Sequence, residues 1–121
     1  MKIYTSYFGF SKSIPSEITP VSIAKFSPKW FNGREIKILA PSKKLLWQTK
    51  QGKITEEEYA RQYMAQIREV FNPQGLLEKL ETEFSGKDIV LLCFEKKGEF
   101  CHRRLLAQWI EGESGLTIKE L

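Results

Sequence analysis

Apolar positions recur along this chain with two different periods, and the change of period marks out its elements. Lys2–Phe8 (KIYTSYF) is rich in β-branched and aromatic residues and closes on Gly9, which predicts a first strand. Two prolines and many small polar residues make Ser11–Pro20 a loop. Val21–Phe26 alternates and predicts a short strand. Pro28–Gly33 is a turn-rich loop, and Glu35–Leu39 predicts another short strand that Pro41 stops.

From there the period lengthens to that of a helix. Pro41–Gln51 predicts a short helix with Leu45 and Leu46 inward. Thr55 and Glu58 have capping-box spacing before a longer helix, on which Tyr59, Tyr63, Ile67 and Val70 or Phe71 share a face. Asn72–Pro73 opens a third helix, with Leu76, Leu77, Leu80 and Phe84 on its apolar side and Gly86 at its end. Asp88–Phe94 (DIVLLCF) is a continuous apolar run, the mark of a strand covered on both faces. Cys101–Gly112 predicts a helix and Leu116–Leu121 a final strand.

Strands separated by helical segments predict an α/β fold: a single three-layer domain over residues 1–121, with a mostly parallel sheet and helices on both faces. Such sheets place ligands at the carboxyl ends of their strands. Those ends carry Ser6 and Tyr7, the Trp30 loop, Ala40–Ser42, and Cys93–Glu95.

Composition narrows the classes. The 121 residues are 41% hydrophobic, enough for one core, and no window is apolar enough to span a membrane. Met1–Gly9 lacks the features of a signal peptide, so a soluble, cytoplasmic protein is expected, with its two cysteines reduced. Charge is uneven. Residues 1–53 carry ten Lys or Arg and two Glu, whereas residues 54–121 carry nine basic and thirteen acidic residues. A basic half suits an anionic partner, a phosphate-bearing small molecule or nucleic acid, although a solvated lysine-rich surface reads the same way. No cofactor is expected, and the oligomeric state is not legible.

The segment Cys93–Arg104 carries the chemistry. It leads from a buried strand through a charged, glycine-containing loop into a helix. The first turn of a helix is electropositive, yet Arg103 and Arg104 stand there beside His102. A bound phosphate would compensate, held by backbone N–H groups and a forked guanidinium. The plainer alternative is pairing of these arginines with Glu95, Glu99 or Glu111 at the surface. Cys101, near the helix start and the arginines, has the surroundings of a lowered-pKa nucleophile, or of a small packed group. Glu95 follows the strand end and suits a general acid or base, or a salt bridge. Tyr7 and Trp30 suit stacking on a base, and Ser6 and Ser42 lie at the same strand ends. Cys93, Cys101 and His102 together form a third option, a metal site, though without standard zinc spacing. A non-catalytic nucleic-acid-binding module using the basic half remains the other reading.

The run VLLCFEKKGEFCHRRLLAQWI resembles the hallmark of the domain-of-unknown-function 488 family: a strand ending in Cys, a short loop, then Cys-His-Arg before Leu and Ala at helical spacing. The opening KIYTSYFG, the Ser22–Ile23 strand leading to PKWF, the LAPS segment and GKITEEEYARQY are similar to that family in order. The resemblance implies a three-layer α/β fold and maps the motif onto Cys93, Cys101, His102 and Arg103. It implies no particular reaction.

Overall fold

The computed structural model describes all residues 1–121. Five strands form one sheet in the order β3-β2-β4-β1-β5, and every pairing is parallel. They are β1 (Ile3–Tyr7), β2 (Thr19–Ser22), β3 (Arg34–Glu35), β4 (Ile89–Cys93) and β5 (Lys119–Glu120). The α-helices are α1 (Lys43–Lys50), α2 (Glu56–Val70), α3 (Pro73–Glu83) and α4 (His102–Ser114). No helix is long and apolar enough to cross a membrane.

β4 is central because all five of its residues are apolar and buried. Successive side chains on a strand point to opposite faces. Ile89 and Leu91 therefore join Ile3, Val21 and Ile23 in the large core, under Leu45 of α1, Tyr63 and Ile67 of α2, Leu76 and Leu80 of α3, and Leu106 and Ile110 of α4. Val90 and Leu92 point the other way, into a smaller cluster with Phe8, Ile18 and Ala24. Burying each of these large side chains favours folding by about 1.5–3 kcal/mol. All four α-helices thus pack on one face. The layer on the other face is the thinner one, a 3₁₀ helix over Phe8–Ser13 and the loops around it. The β1–β2 connection winds as this 3₁₀ helix and then passes through Pro15, which has no N–H with which to continue it.

Three helices open on a side-chain cap, two of them, at Thr55 and Asn72, expected from the sequence. The Ser42 hydroxyl accepts from the Leu45 amide at 3.2 Å, that of Thr55 from Glu58 at 3.1 Å, and the Asn72 side chain from Gly75 at 2.7 Å. Boundaries shift elsewhere. The predicted strand Val21–Phe26 begins earlier and ends at Ser22, whose hydroxyl accepts from the Ala24 amide (3.3 Å) and bonds the Ser27 hydroxyl (2.7 Å), turning the chain. The predicted strand Glu35–Leu39 is two residues of β3 followed by a 3₁₀ turn, Lys37–Leu39.

Candidate functional site

The carboxyl ends of β2 and β4 meet the start of α4, and there the surface opens into two adjoining hollows of about 360 and 350 Å³. They share Leu46, Tyr59 and Glu95. Lys25, Phe26, Lys50, Cys93 and His102 line the first, and Thr55, Glu99, Phe100 and Cys101 line the second. Phe26, Phe94, Phe100 and nearby Trp47 are exposed at this end of the molecule.

Two buried thiols lie at the base of the hollows. The Cys93 and Cys101 sulfurs and a Glu95 carboxylate oxygen all lie within 4.8 Å of one another. Cys101 is the N-cap of α4, and no side chain supplies a cap hydrogen bond there. Its thiol pKa is lowered to about 7, first by the hydrogen bond from Cys93, then by the amides of Arg104 and Arg103 and the Arg103 charge, against the pull of burial. Cys93 moves the opposite way: its bond to Cys101 and its burial keep the proton on it. The geometry therefore makes one thiol acidic at the other's expense.

Arg103 and His102 hold this arrangement from behind. Arg103 is fully buried. Its Nη1 donates to the Cys93 sulfur at 2.9 Å and to the Glu95 carbonyl at 2.7 Å, and its Nη2 meets Glu120 of β5 at 2.7 Å. Burial opposes its charge, but Glu120 and the Cys93 sulfur outweigh burial and keep it protonated. His102 donates from Nε2 to the Ile23 carbonyl at 2.8 Å and packs edge-on against Tyr63. Burial lowers its pKa and keeps it neutral. Arg104 reaches the Thr5 hydroxyl at 2.8 Å and the Ile118 carbonyl at 3.4 Å.

These contacts correct the expectation that the opening turn of α4 carries its cations for want of an anion. The anion opposite Arg103 is Glu120, a residue of the chain itself. None of the surface carboxylates considered as partners plays that part: Glu95 offers its backbone carbonyl, and Glu111 accepts from the Ile118 amide. The predicted residues divide accordingly. Cys93, Glu95, Cys101 and His102 come together. Ser6 is buried in β1 beside Leu92, and its hydroxyl has no hydrogen-bond partner. Tyr7 pairs in register with Cys93 but turns its ring toward Phe10. Trp30 lines a separate hollow of about 260 Å³ and meets the edge of Phe8. Ser42 is taken up as the cap of α1. Three groups stand close enough to share a metal ion: Cys93, Glu95 and Cys101. His102, expected to be the third ligand, is not among them, and its Nε2 bonds the Ile23 carbonyl. Lys25, Lys50, Phe26 and Tyr59 were not singled out as site residues. For the lysines the only sequence signal was the basic first half, and for the aromatics there was none.

The match to a family model decides the family assignment. The model of the active DUF488-N3 subclade matches residues 11–114. The chain belongs to the DUF488 family. No curated protein and no solved structure is matched. In this DUF488 chain the match takes in β2 through α4, including both thiols, Glu95 and Arg103. It leaves β1 and β5, and with them Thr5 and Glu120, outside.

Proposed function

We propose that this DUF488 protein is an enzyme acting on a phosphate-bearing nucleotide or nucleic-acid substrate, with Cys101 as nucleophile and Glu95 as general acid and base. The observation that carries the reading is the acidic Cys101 thiol at the start of α4, lining a hollow, with a Glu95 oxygen within 4.8 Å of its sulfur. A thiolate is the reactive form of cysteine, and a neighbouring carboxyl can pass the proton that the leaving group needs. Lys25 and Lys50 supply the phosphate-binding charge in place of Arg103 and Arg104, whose donors serve the protein. Phe26 and Tyr59 offer aromatic faces to a base. Arg103 is a positioning residue that holds the Cys93 sulfur and the Glu95 backbone.

The test is turnover across a panel of nucleotides and short oligonucleotides, with product read by chromatography. One class should be converted, Cys101→Ser should abolish conversion, and Glu95→Gln should slow it at least 100-fold, the usual size of an acid–base contribution. Binding without conversion by the wild-type chain would overturn the reading.

A second reading, a non-catalytic nucleic-acid-binding module, draws on the exposed aromatics that carry lysines over their rings. Lys53 lies 4.9 Å from the Trp47 ring centre and Lys37 lies 5.9 Å from that of Phe26. This reading gains if oligonucleotides bind with steep salt dependence and Cys101→Ser changes nothing.

A further inference from the structure

The chain has two cysteines, and the fold sets them side by side although eight positions separate them in sequence. Their sulfurs lie within 4.8 Å of each other. Each lines a different hollow, Cys93 the first and Cys101 the second, so a small solute can approach from either side. Arg103 donates to the Cys93 sulfur from 2.9 Å, which favours negative charge on that atom whenever its proton is drawn away.

We propose that Cys93 and Cys101 form an oxidisable dithiol, in which a hydroperoxide oxidises Cys101 and Cys93 resolves it to an intramolecular disulfide. In the first step the Cys101 thiolate attacks one peroxide oxygen. The O–O bond breaks, a sulfenic acid forms on Cys101, and the departing hydroxide or alkoxide takes a proton to leave as water or alcohol. In the second step the Cys93 sulfur attacks the sulfenic sulfur. The S–S bond forms, the S–O bond breaks, and the hydroxide leaves as water with the Cys93 proton. Two thiols thereby give two electrons to one O–O bond.

The surroundings suit both steps. Peroxide-sensitive cysteines combine thiolate character with an adjacent resolving thiol. Cys101 has the surroundings for the first, since it stands at the N-terminus of α4, next to Arg103. Cys93 stands as the second. Closing the bond requires the sulfurs to approach to about 2.05 Å. The segment that must yield, residues 94–100, is exposed throughout. It contains Gly98 at φ 89°, a backbone angle that glycine adopts without strain. This chemistry stands whether or not Cys101 attacks a substrate.

The experiment uses the full chain, reduced and freed of metal with a chelator, then treated with hydrogen peroxide and N-ethylmaleimide before intact-mass measurement. The wild type should become two hydrogens lighter and take up no maleimide. Proteolysis should then yield the Cys93 and Cys101 peptides joined, and dithiothreitol should release both thiols. Cys93→Ser should stop at a sulfenic acid on Cys101 that dimedone traps, and Cys101→Ser should leave Cys93 alkylatable. Two alkylatable thiols in the treated wild type, or disulfides between chains alone, would overturn the proposal. So would overoxidation of Cys101 in the wild type as fast as in Cys93→Ser. Should Cys93→Ser fail to fold, the joined peptides in the wild type decide the matter by themselves.

Discussion

Arg103 shows how far a residue's neighbours in sequence can mislead about its partners in space. A cation in the first turn of a helix opposes the dipole, at a cost of about 0.3–1 kcal/mol, and from sequence that anomaly pointed to a bound anion. Its resolution lies 17 positions away, where Glu120 meets the buried guanidinium with two further contacts to Nε. Cys101, by contrast, was legible as an acidic thiol from its place at a helix start, although its strongest influence, Cys93, was not. A prediction belongs at this scale. Below pH 7 Cys101 is protonated and unreactive, and above it the thiolate forms. The rate of alkylation by iodoacetamide should therefore rise with a midpoint near 7, and the midpoint should move upward in Cys93→Ala. A wild-type midpoint in the ordinary thiol range, about 8.5, would remove the basis for a reactive Cys101.

At the scale of elements, local rules performed well wherever the determinants are local. Thr55 and Asn72 each cap the helix their spacing predicts, because the cap bond spans only three residues, and Ser42, read from sequence as a ligand-binding candidate, caps α1 in the same way. Thr55→Ala should cost about 1 kcal/mol of stability by denaturant titration, with Thr55→Ser close to wild type. An unchanged midpoint in Thr55→Ala would mean that packing of Tyr59, Tyr63 and Ile67 holds α2 without its cap. Strand limits were less legible. Pro20 argued for a later start to β2, yet it pairs with Val90 on one side while β3 begins only opposite Val21, so no ladder bond is lost on the outer side. Lys37–Leu39 has the apolar content of a strand. It turns instead, with Leu39 and Ala40 amides bonded back to Ile36 and Lys37 carbonyls.

For the molecule as a whole, the decisive joint is the one between α4 and the edge strand β5. Glu120 accepts from Arg103 and from the Thr5 hydroxyl, and Arg104 bonds the same hydroxyl, so β1, α4 and β5 close on one polar cluster behind the thiols. Burial works against the charge of Glu120, but Arg103 and Thr5 prevail and hold its pKa below the ordinary carboxylate value. Its contribution to stability is thus present above the ordinary carboxylate pKa and lost as pH falls below that value through the lowered pKa of the folded state. Removing one partner of a buried pair typically costs about 3–5 kcal/mol. Glu120→Gln should destabilise the fold by that order in urea titrations at pH 7, and the difference from wild type should shrink toward acid pH. A variant as stable as wild type would show that Arg103 finds another anchor. The sequence alone determined the parallel α/β class, the caps at Thr55 and Asn72 and the segment that carries the thiols, since period, capping and apolar runs act over a few residues. Only the tertiary structure decided what faces Arg103, that Cys93 lies against Cys101, and which lysines and aromatics share their hollows. Those are contacts between strands and helices distant in the chain, and no local pattern encodes which of many available charges will meet.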